Sequence, residues 1–223
     1  MLRSHLLRQT SPGGIEFIGA VGTNSSPDDN FMSFAYSVSM PSGVAVGDLC
    51  VILLGANRGH TNLYVEVGGD SNPSAIYDTG NSPTSNNPVF LLWYDFLDAT
   101  QVSDGTISMH KTGGTPNDPT VAAMFFRNVG AFPTQSTTNA TGGSVPNVPV
   151  ACDLAVVAYS DRNTSGGSYN TPTGFTKAIE QPSNDSSNHS VLYYKIDTIS
   201  SGTSVGSLSP ANNACASTLG FTL

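Results

Sequence analysis

Charge is what this sequence has least of. Only 11% of its 223 residues are Asp, Glu, Lys or Arg, under half of the roughly 25% usual in a globular domain. The 16 acidic and 8 basic side chains leave a net charge of −8, and Lys and Arg form no cluster. A phosphate backbone would find little counter-charge here, so nucleic acid is not an expected partner. Long apolar runs are also missing. No segment approaches the roughly 20 residues of a membrane-spanning helix, and residues 1–14 lack the continuous apolar run of a secretory signal. The expectation is a chain folded in a cytoplasm without a membrane partner. The three cysteines, Cys50, Cys152 and Cys215, are too few and too scattered for a disulfide framework or a zinc site. Each lies in or beside an apolar strand, as a small buried hydrophobe would, with an intermolecular disulfide as the alternative. Helical periodicity is absent beyond the first ten residues, where Leu2, Leu6 and Leu7 share one side of a short segment that also carries Arg3 and Arg8. Ser11-Pro12-Gly13-Gly14 stops it. Such a segment is too short to be stable as an isolated helix, so residues 1–14 read as an N-terminal docking arm, with Leu2, Arg3, Leu6, Leu7 and Arg8 as its interaction residues.

What the sequence does have is turns and short strands. Gly (23) and Pro (14) are frequent, and the 38% of hydrophobic residues falls in short clusters between them, which is the pattern of strands. Strands are expected at Ile15–Gly19, Phe31–Met40, Leu63–Val67, Val89–Phe96, Thr106–Met109, Thr120–Arg127, Phe175–Ile179, Ser190–Ile196, Gly202–Leu208 and from Ala214 to the end. Leu49–Leu54 and Leu154–Tyr159 are continuous apolar runs rich in β-branched residues, the signature of strands covered on both faces. Trp93, the single tryptophan, marks a core strand.

The two halves resemble one another. Asp48-Leu49-Cys50-Val51-Ile52 returns as Asp153-Leu154-Ala155-Val156-Val157, and Leu92-Trp93-Tyr94-Asp95-Phe96 returns as Leu192-Tyr193-Tyr194-Lys195-Ile196. Each half then closes on a small-residue strand, Val121–Phe125 or Ala214–Leu219. Repeated strand cores without repeated polar clusters point to duplicated scaffolding. The expected fold is therefore all-β: an antiparallel β-sandwich or jelly roll at residues 15–223, one domain of two pseudo-repeated halves (about 15–130 and 145–223), each half giving strands to both sheets.

No constellation of reactive groups stands out. Gly202-Thr203-Ser204-Val205-Gly206 matches a nucleophile elbow in letters, but no helix-forming segment follows it and no histidine lies beyond His189. His5, His60, His110 and His189 lack paired metal-ligand spacing and read as exposed loop residues. Asp28-Asp29-Asn30 and Asp70-Ser71-Asn72 are explained by turn chemistry and lack the distal carboxylate of a calcium loop. Asp95 with Asp98, or Glu66 with Asp70, could supply paired carboxylates, but nothing singles them out. Asn24-Ser25-Ser26, Asn139-Ala140-Thr141 and Asn163-Thr164-Ser165 match glycosylation acceptors through composition alone. Neither a catalytic residue, a metal ligand nor a cofactor is expected.

Gly43-Val44-Ala45-Val46-Gly47-Asp48-Leu49, Phe126-Arg127-Asn128-Val129, Gly174-Phe175-Thr176 and Tyr193-Tyr194-Lys195 together form a familiar set. The chain resembles, over about residues 15–223, a group of tailed-bacteriophage virion proteins with a Gly-Asp-Leu strand opening, a Gly-Phe-Thr turn, a Tyr-Tyr-Lys strand and an Ala-rich strand before Phe-Arg-Asn-Val. The first half departs from the pattern, with no Gly-Phe-Thr turn between Gly55 and Pro88. The resemblance implies a non-enzymatic β-sandwich of the virion, assembled in the host cytoplasm. It would be a homo-oligomeric head decoration protein partnered by the major capsid protein, or else a tail component that binds a host receptor or glycan.

Overall fold

The computed structural model describes residues 13–24, 34–56, 63–68, 70–71, 77–78, 89–111, 119–130, 134–141, 143–162, 168–183, 188–209 and 213–223. In chain order the elements are β1 (Glu16–Asn24), β2 (Phe34–Ser39), β3 (Leu49–Ala56), β4 (Leu63–Val67), β5 (Asp70–Ser71), β6 (Tyr77–Asp78), β7 (Val89–Phe96), α1 (Ala99–Asp104), β8 (Thr106–Lys111), β9 (Thr120–Arg127), β10 (Thr134–Thr141), β11 (Cys152–Arg162), β12 (Thr176–Pro182), β13 (His189–Ile199) and β14 (Asn213–Phe221). The fold is all-β, and every strand pairing is antiparallel.

Three sheets stack. A central sheet runs β1-β9-β3-β7-β6, a C-terminal sheet runs β10-β14-β11-β13-β12, and a four-stranded sheet runs β2-β8-β4-β5. The reason for three layers is visible in β3, whose eight residues are all buried. Leu49, Val51 and Leu53 point one way, into a core shared with Leu154, Val156, Ala158, Leu219 and Phe221 of the C-terminal sheet. Cys50, Ile52, Leu54 and Ala56 point the other way, into a core shared with Val65, Val67, Ile107 and Met109 of the four-stranded sheet. Side chains alternate across a strand, so a run without polar positions needs cover on both sides.

The C-terminal sheet also has two apolar faces, but its outer face is covered by loops. Ala155, Val157, Tyr159, Val191 and Tyr193 pack beneath Val145, Val148, Tyr169, Phe175, Val205 and Leu208. Two of these loops hold each other through backbone bonds, Leu208 N–H to Gly143 O at 2.8 Å and Val148 N–H to Thr203 O at 2.9 Å. Residues Gly202–Leu208, expected as a strand, are instead one side of this cap, held by these bonds and by an isolated bridge between Ser144 and Ser207.

The two five-stranded sheets have the same plan. Numbering the strands of each in chain order, both run first, fifth, second, fourth, third. Registers agree as well: Leu49 faces Phe126 and Phe96, and Leu154 faces Phe221 and Ile196. Val51 faces Met124 and Tyr94, as Val156 faces Leu219 and Tyr194. The sequence segments that recur thus occupy the same places in the two sheets. One expectation is corrected: the first half forms the central and four-stranded sheets and the second half the C-terminal sheet, instead of each half giving strands to both five-stranded sheets. β10 lies between the two expected halves and pairs with β14.

Where the central and C-terminal sheets meet near their ends, hydroxyl groups replace apolar side chains. Thr120 Oγ1 and Ser190 Oγ lie 2.7 Å apart, and Asn188 Nδ2 donates to Thr120 Oγ1 at 3.0 Å. Gly55 sits against this group, and a Cβ there would come within 2.5 Å of Ser190 Oγ and collide with Ser160 Oγ. Neither serine is at the flexible end of a long side chain, so the two sheets would have to separate. Gly55→Ala is expected to cost about 1–3 kcal/mol through overpacking, a drop in melting temperature of about 2–4 °C per kcal/mol for a chain of this size; thermal unfolding followed by circular dichroism measures it.

Candidate functional site

Among the described residues, the densest group of ionisable side chains lies at one end of the outer face of the C-terminal sheet. β11 supplies Tyr159 and Asp161, both fully buried. β13 supplies His189, paired directly with Asp161 in the ladder, and Tyr193. β12 supplies Lys177 and Glu180, and the incoming loop supplies Ser168 and Tyr169. On a regular strand Lys177 and Glu180, three residues apart, would point to opposite faces. A bulge between Lys177 and Ile179 shifts the register, so that Lys177 faces Tyr193 and Glu180 faces Val191. That inserted residue brings both charges to the same face.

Glu180 is the hub. Its Oε2 lies 2.6 Å from Lys177 Nζ and accepts from Ser168 Oγ at 2.6 Å. Its Oε1 accepts from the Tyr169 N–H at 3.1 Å and lies 3.2 Å from His189 Nδ1. Lys177 Nζ also donates to Tyr169 O at 2.5 Å and to Ser168 Oγ at 3.1 Å, and Tyr193 Oη donates to Asn170 O at 3.0 Å. The rings interlock, Tyr159 with Tyr169 at 5.2 Å and Tyr169 edge-on to His189 at 5.4 Å.

Electrostatics follow from this packing. Burial alone would push the Glu180 carboxyl up, but the hydrogen bonds from His189, Lys177, Ser168 and the Tyr169 N–H outweigh it and hold the group at about 2. Burial pushes the Tyr159, Tyr169 and Tyr193 phenols far above their usual range, and the Asp161 charge adds to each shift. Glu180 is thus fixed as an anion with its oxygens occupied, while the phenols are fixed as neutral. This arrangement stores charge and holds a loop to a sheet.

A second group lies on the outward face of the four-stranded sheet. The Tyr64 and His110 rings stack at 4.8 Å and 4°, His110 Nε2 lies 2.9 Å from Glu66 Oε2, and Ser37 Oγ lies 2.6 Å from Ser108 Oγ. Tyr64, Glu66, Ser108 and His110 are partly exposed and Ser37 is exposed.

The sequence-derived candidates fall as follows. Leu2, Arg3, Leu6, Leu7 and Arg8 lie outside the described residues, as do His5, His60, Asp28-Asp29-Asn30, Asn72 and Asn163-Thr164-Ser165. His110 and His189 were expected in exposed loops and are corrected: both are on strands, and His189 is buried. Asp98 does not join Asp95 in a carboxylate pair, because it caps α1, accepting from the Gln101 N–H at 2.9 Å. Ser204 is in a loop with no helix behind it. Cys50, Cys152 and Cys215 are at most 5% exposed, and burial pushes their thiols up, Cys215 to about 12. That is the environment of small buried hydrophobes and leaves none of them placed to reach a second chain. Among the described residues, no three His, Cys, Asp or Glu side chains are grouped to hold a metal ion.

The four motifs of the phage resemblance meet in two pairs. Asp48 and Arg127 form a two-pronged ion pair, Nε to Oδ1 at 3.1 Å and Nη2 to Oδ2 at 2.9 Å, and Arg127 also donates to Gly43 O at 2.6 Å. Asn128, in the left-handed region at φ 62°, donates from Nδ2 to Gly14 O at 3.2 Å. In the other pair, Thr176 faces Tyr194 and Lys177 faces Tyr193 across the β12–β13 ladder, and Tyr194 stacks on Phe17 at 4.5 Å.

The lowered Glu180 value fixes a sign for pH dependence. The folded value of about 2 lies below the ordinary 4.5, so the stabilisation is complete above about pH 4.5 and is lost as pH falls towards 2. Glu180→Gln is expected to lower stability at pH 7 by about 1–3 kcal/mol and to flatten the fall in melting temperature between those pH values. Equal acid sensitivity in the variant and the parent would contradict it.

Comparison with known proteins finds no family model, no curated protein and no solved structure that matches the chain.

Proposed function

We propose that this chain is a non-enzymatic structural module of a bacteriophage virion, a decoration protein held on the head lattice beside the major capsid protein and other copies of itself. The observation that carries the reading is the structural use of the resembling motifs. Gly47-Asp48-Leu49 is fastened to Phe126-Arg127-Asn128, and Gly174-Phe175-Thr176 is laddered to Tyr193-Tyr194-Lys195, so the residues that carry the resemblance serve this chain as contacts that hold its fold. The Glu180 carboxylate, both of whose oxygens accept hydrogen bonds, agrees with it, since its charge serves packing. So does the sparsely charged, turn-rich surface, which suits a lattice where many copies each need a modest interface. The N-terminal segment, with Leu2, Arg3, Leu6, Leu7 and Arg8, is the proposed anchor. Immunogold labelling of intact particles is expected to mark heads, and deletion of residues 1–12 to abolish binding to emptied capsids; tail labelling, or unchanged binding, would refute the reading.

One observation favours a second reading, a tail module that binds a host glycan. Tyr64, stacked on His110 beside Glu66, Ser37 and Ser108, is a partly exposed aromatic shelf among hydrogen-bonding groups, the combination that sugar rings need. In that case the purified chain binds a glycan array and Tyr64→Ala loses at least ten-fold in affinity, about 1.4 kcal/mol, while emptied capsids are not bound.

A further inference from the structure

β10 is the end strand of the C-terminal sheet, laddered to β14 over all eight residues from Thr134 to Thr141. Among the described residues no strand pairs with its other side. In an antiparallel ladder alternate residues turn their N–H and C=O groups away from the existing partner, so half of the β10 backbone groups face outward. Edge strands are normally blunted by charge, proline, a bulge or short length. The other edges of this fold have such devices. β12 carries Lys177, Glu180, a bulge and Pro182. β1 carries Glu16, a bulge between Phe17 and Gly19, and two glycines. β5 carries Asp70 and β6 carries Asp78. β2 runs against β1 of the neighbouring layer. β10, with the sequence TQSTTNAT, has no charge, no proline, no glycine and no bulge, and half of its residues are the β-branched Thr.

We infer that β10 is an assembly edge that pairs with β10 of a second copy of this chain, antiparallel across a two-fold axis, joining two C-terminal sheets into one continuous sheet. The sequence of the strand selects that partner. Pairing centred on Thr137, so that opposed residues both turn their backbone groups outward or both inward, sets Thr134 opposite Ala140, Gln135 opposite Asn139, Ser136 opposite Thr138 and Thr137 opposite its own copy. Threonine pairs are favourable across strands, and the interface is isologous, so it closes at two copies. It also brings no like charges together, which matters for a chain of net charge −8. The inference rests on the proposed assembling role only in expecting self-association. A monomer that still labels heads would refute this interface and leave that role standing.

The test uses the full chain. Sedimentation equilibrium is expected to give twice the chain mass at high concentration and the monomer mass on dilution. Thr137→Lys combined with Thr138→Lys sets ammonium groups opposite one another and is expected to abolish the dimer with the circular dichroism spectrum unchanged, whereas Thr137→Val combined with Thr138→Val retains it. A parent chain that is monomeric throughout, or a folded lysine variant that is still dimeric, overturns the proposal. Should the lysine variant not fold, hydrogen exchange of the parent decides: amides of residues 134–141 are expected to slow as concentration rises, and exchange independent of concentration overturns it.

Discussion

The structure depends on β3 having nowhere to place a polar residue. With Leu49, Val51 and Leu53 on one face and Cys50, Ile52, Leu54 and Ala56 on the other, the central sheet must be covered twice. Burial of apolar surface is the main favourable term in folding, and here it dictates the layering. β11 sets the same demand on the C-terminal sheet. The two halves meet it differently. In the first, the connections between sheet strands contain β2, β4, β5 and β8, which assemble into a sheet of their own. In the second, the corresponding connections are the loops carrying Val145, Val148, Tyr169, Phe175, Val205 and Leu208. The strand order is the same in the two sheets while the cover over each differs.

So few charges means that each well-placed one fastens distant pieces of chain. Arg127 at the end of β9 closes on Asp48 at the start of β3, and Lys177 and His189 close on Glu180, which also holds the Ser168–Tyr169 loop. Elsewhere in the interior, hydroxyl and amide groups take the place of charges, as in the Thr120, Ser190, Asn188 and Ser160 network. Neutral partners are less costly to bury than ions, and such a network fixes the distance between two sheets without requiring a counter-charge.

Strands whose apolar pattern is strong were legible in sequence. β4, β7 and β9 fall where the pattern put them, and the double coverage of β3 and β11 followed from their unbroken apolar runs. Where one stretch had to choose between conformations, the tertiary context decided. Val205 and Leu208 read as strand residues but serve a loop that covers Tyr193 and its neighbours. α1 was missed because six residues show no periodicity; its signals were the Asp98–Gln101 capping box and Gly105 at φ 67°. The layering was hidden too, since nothing local says that β2, β4, β5 and β8 form a separate sheet. The Glu180 site was illegible for a sharper reason. Lys177, Glu180 and His189 converge only because a single bulge reverses side-chain parity in β12, and a bulge leaves no mark in hydrophobic alternation.

The strand order has a kinetic meaning for a chain made from its N-terminus. In both five-stranded sheets the fifth strand inserts between the first and the second, so β9 completes the central sheet and β14 the C-terminal one. Until β14 emerges from the ribosome, β10 and β11 have no hydrogen-bonded neighbour between them. Contacts that join the most distant segments therefore come last, which slows folding and prolongs the exposure of sticky strands. A nascent chain of this design must hold β10 and β11 apart until β14 slots between them.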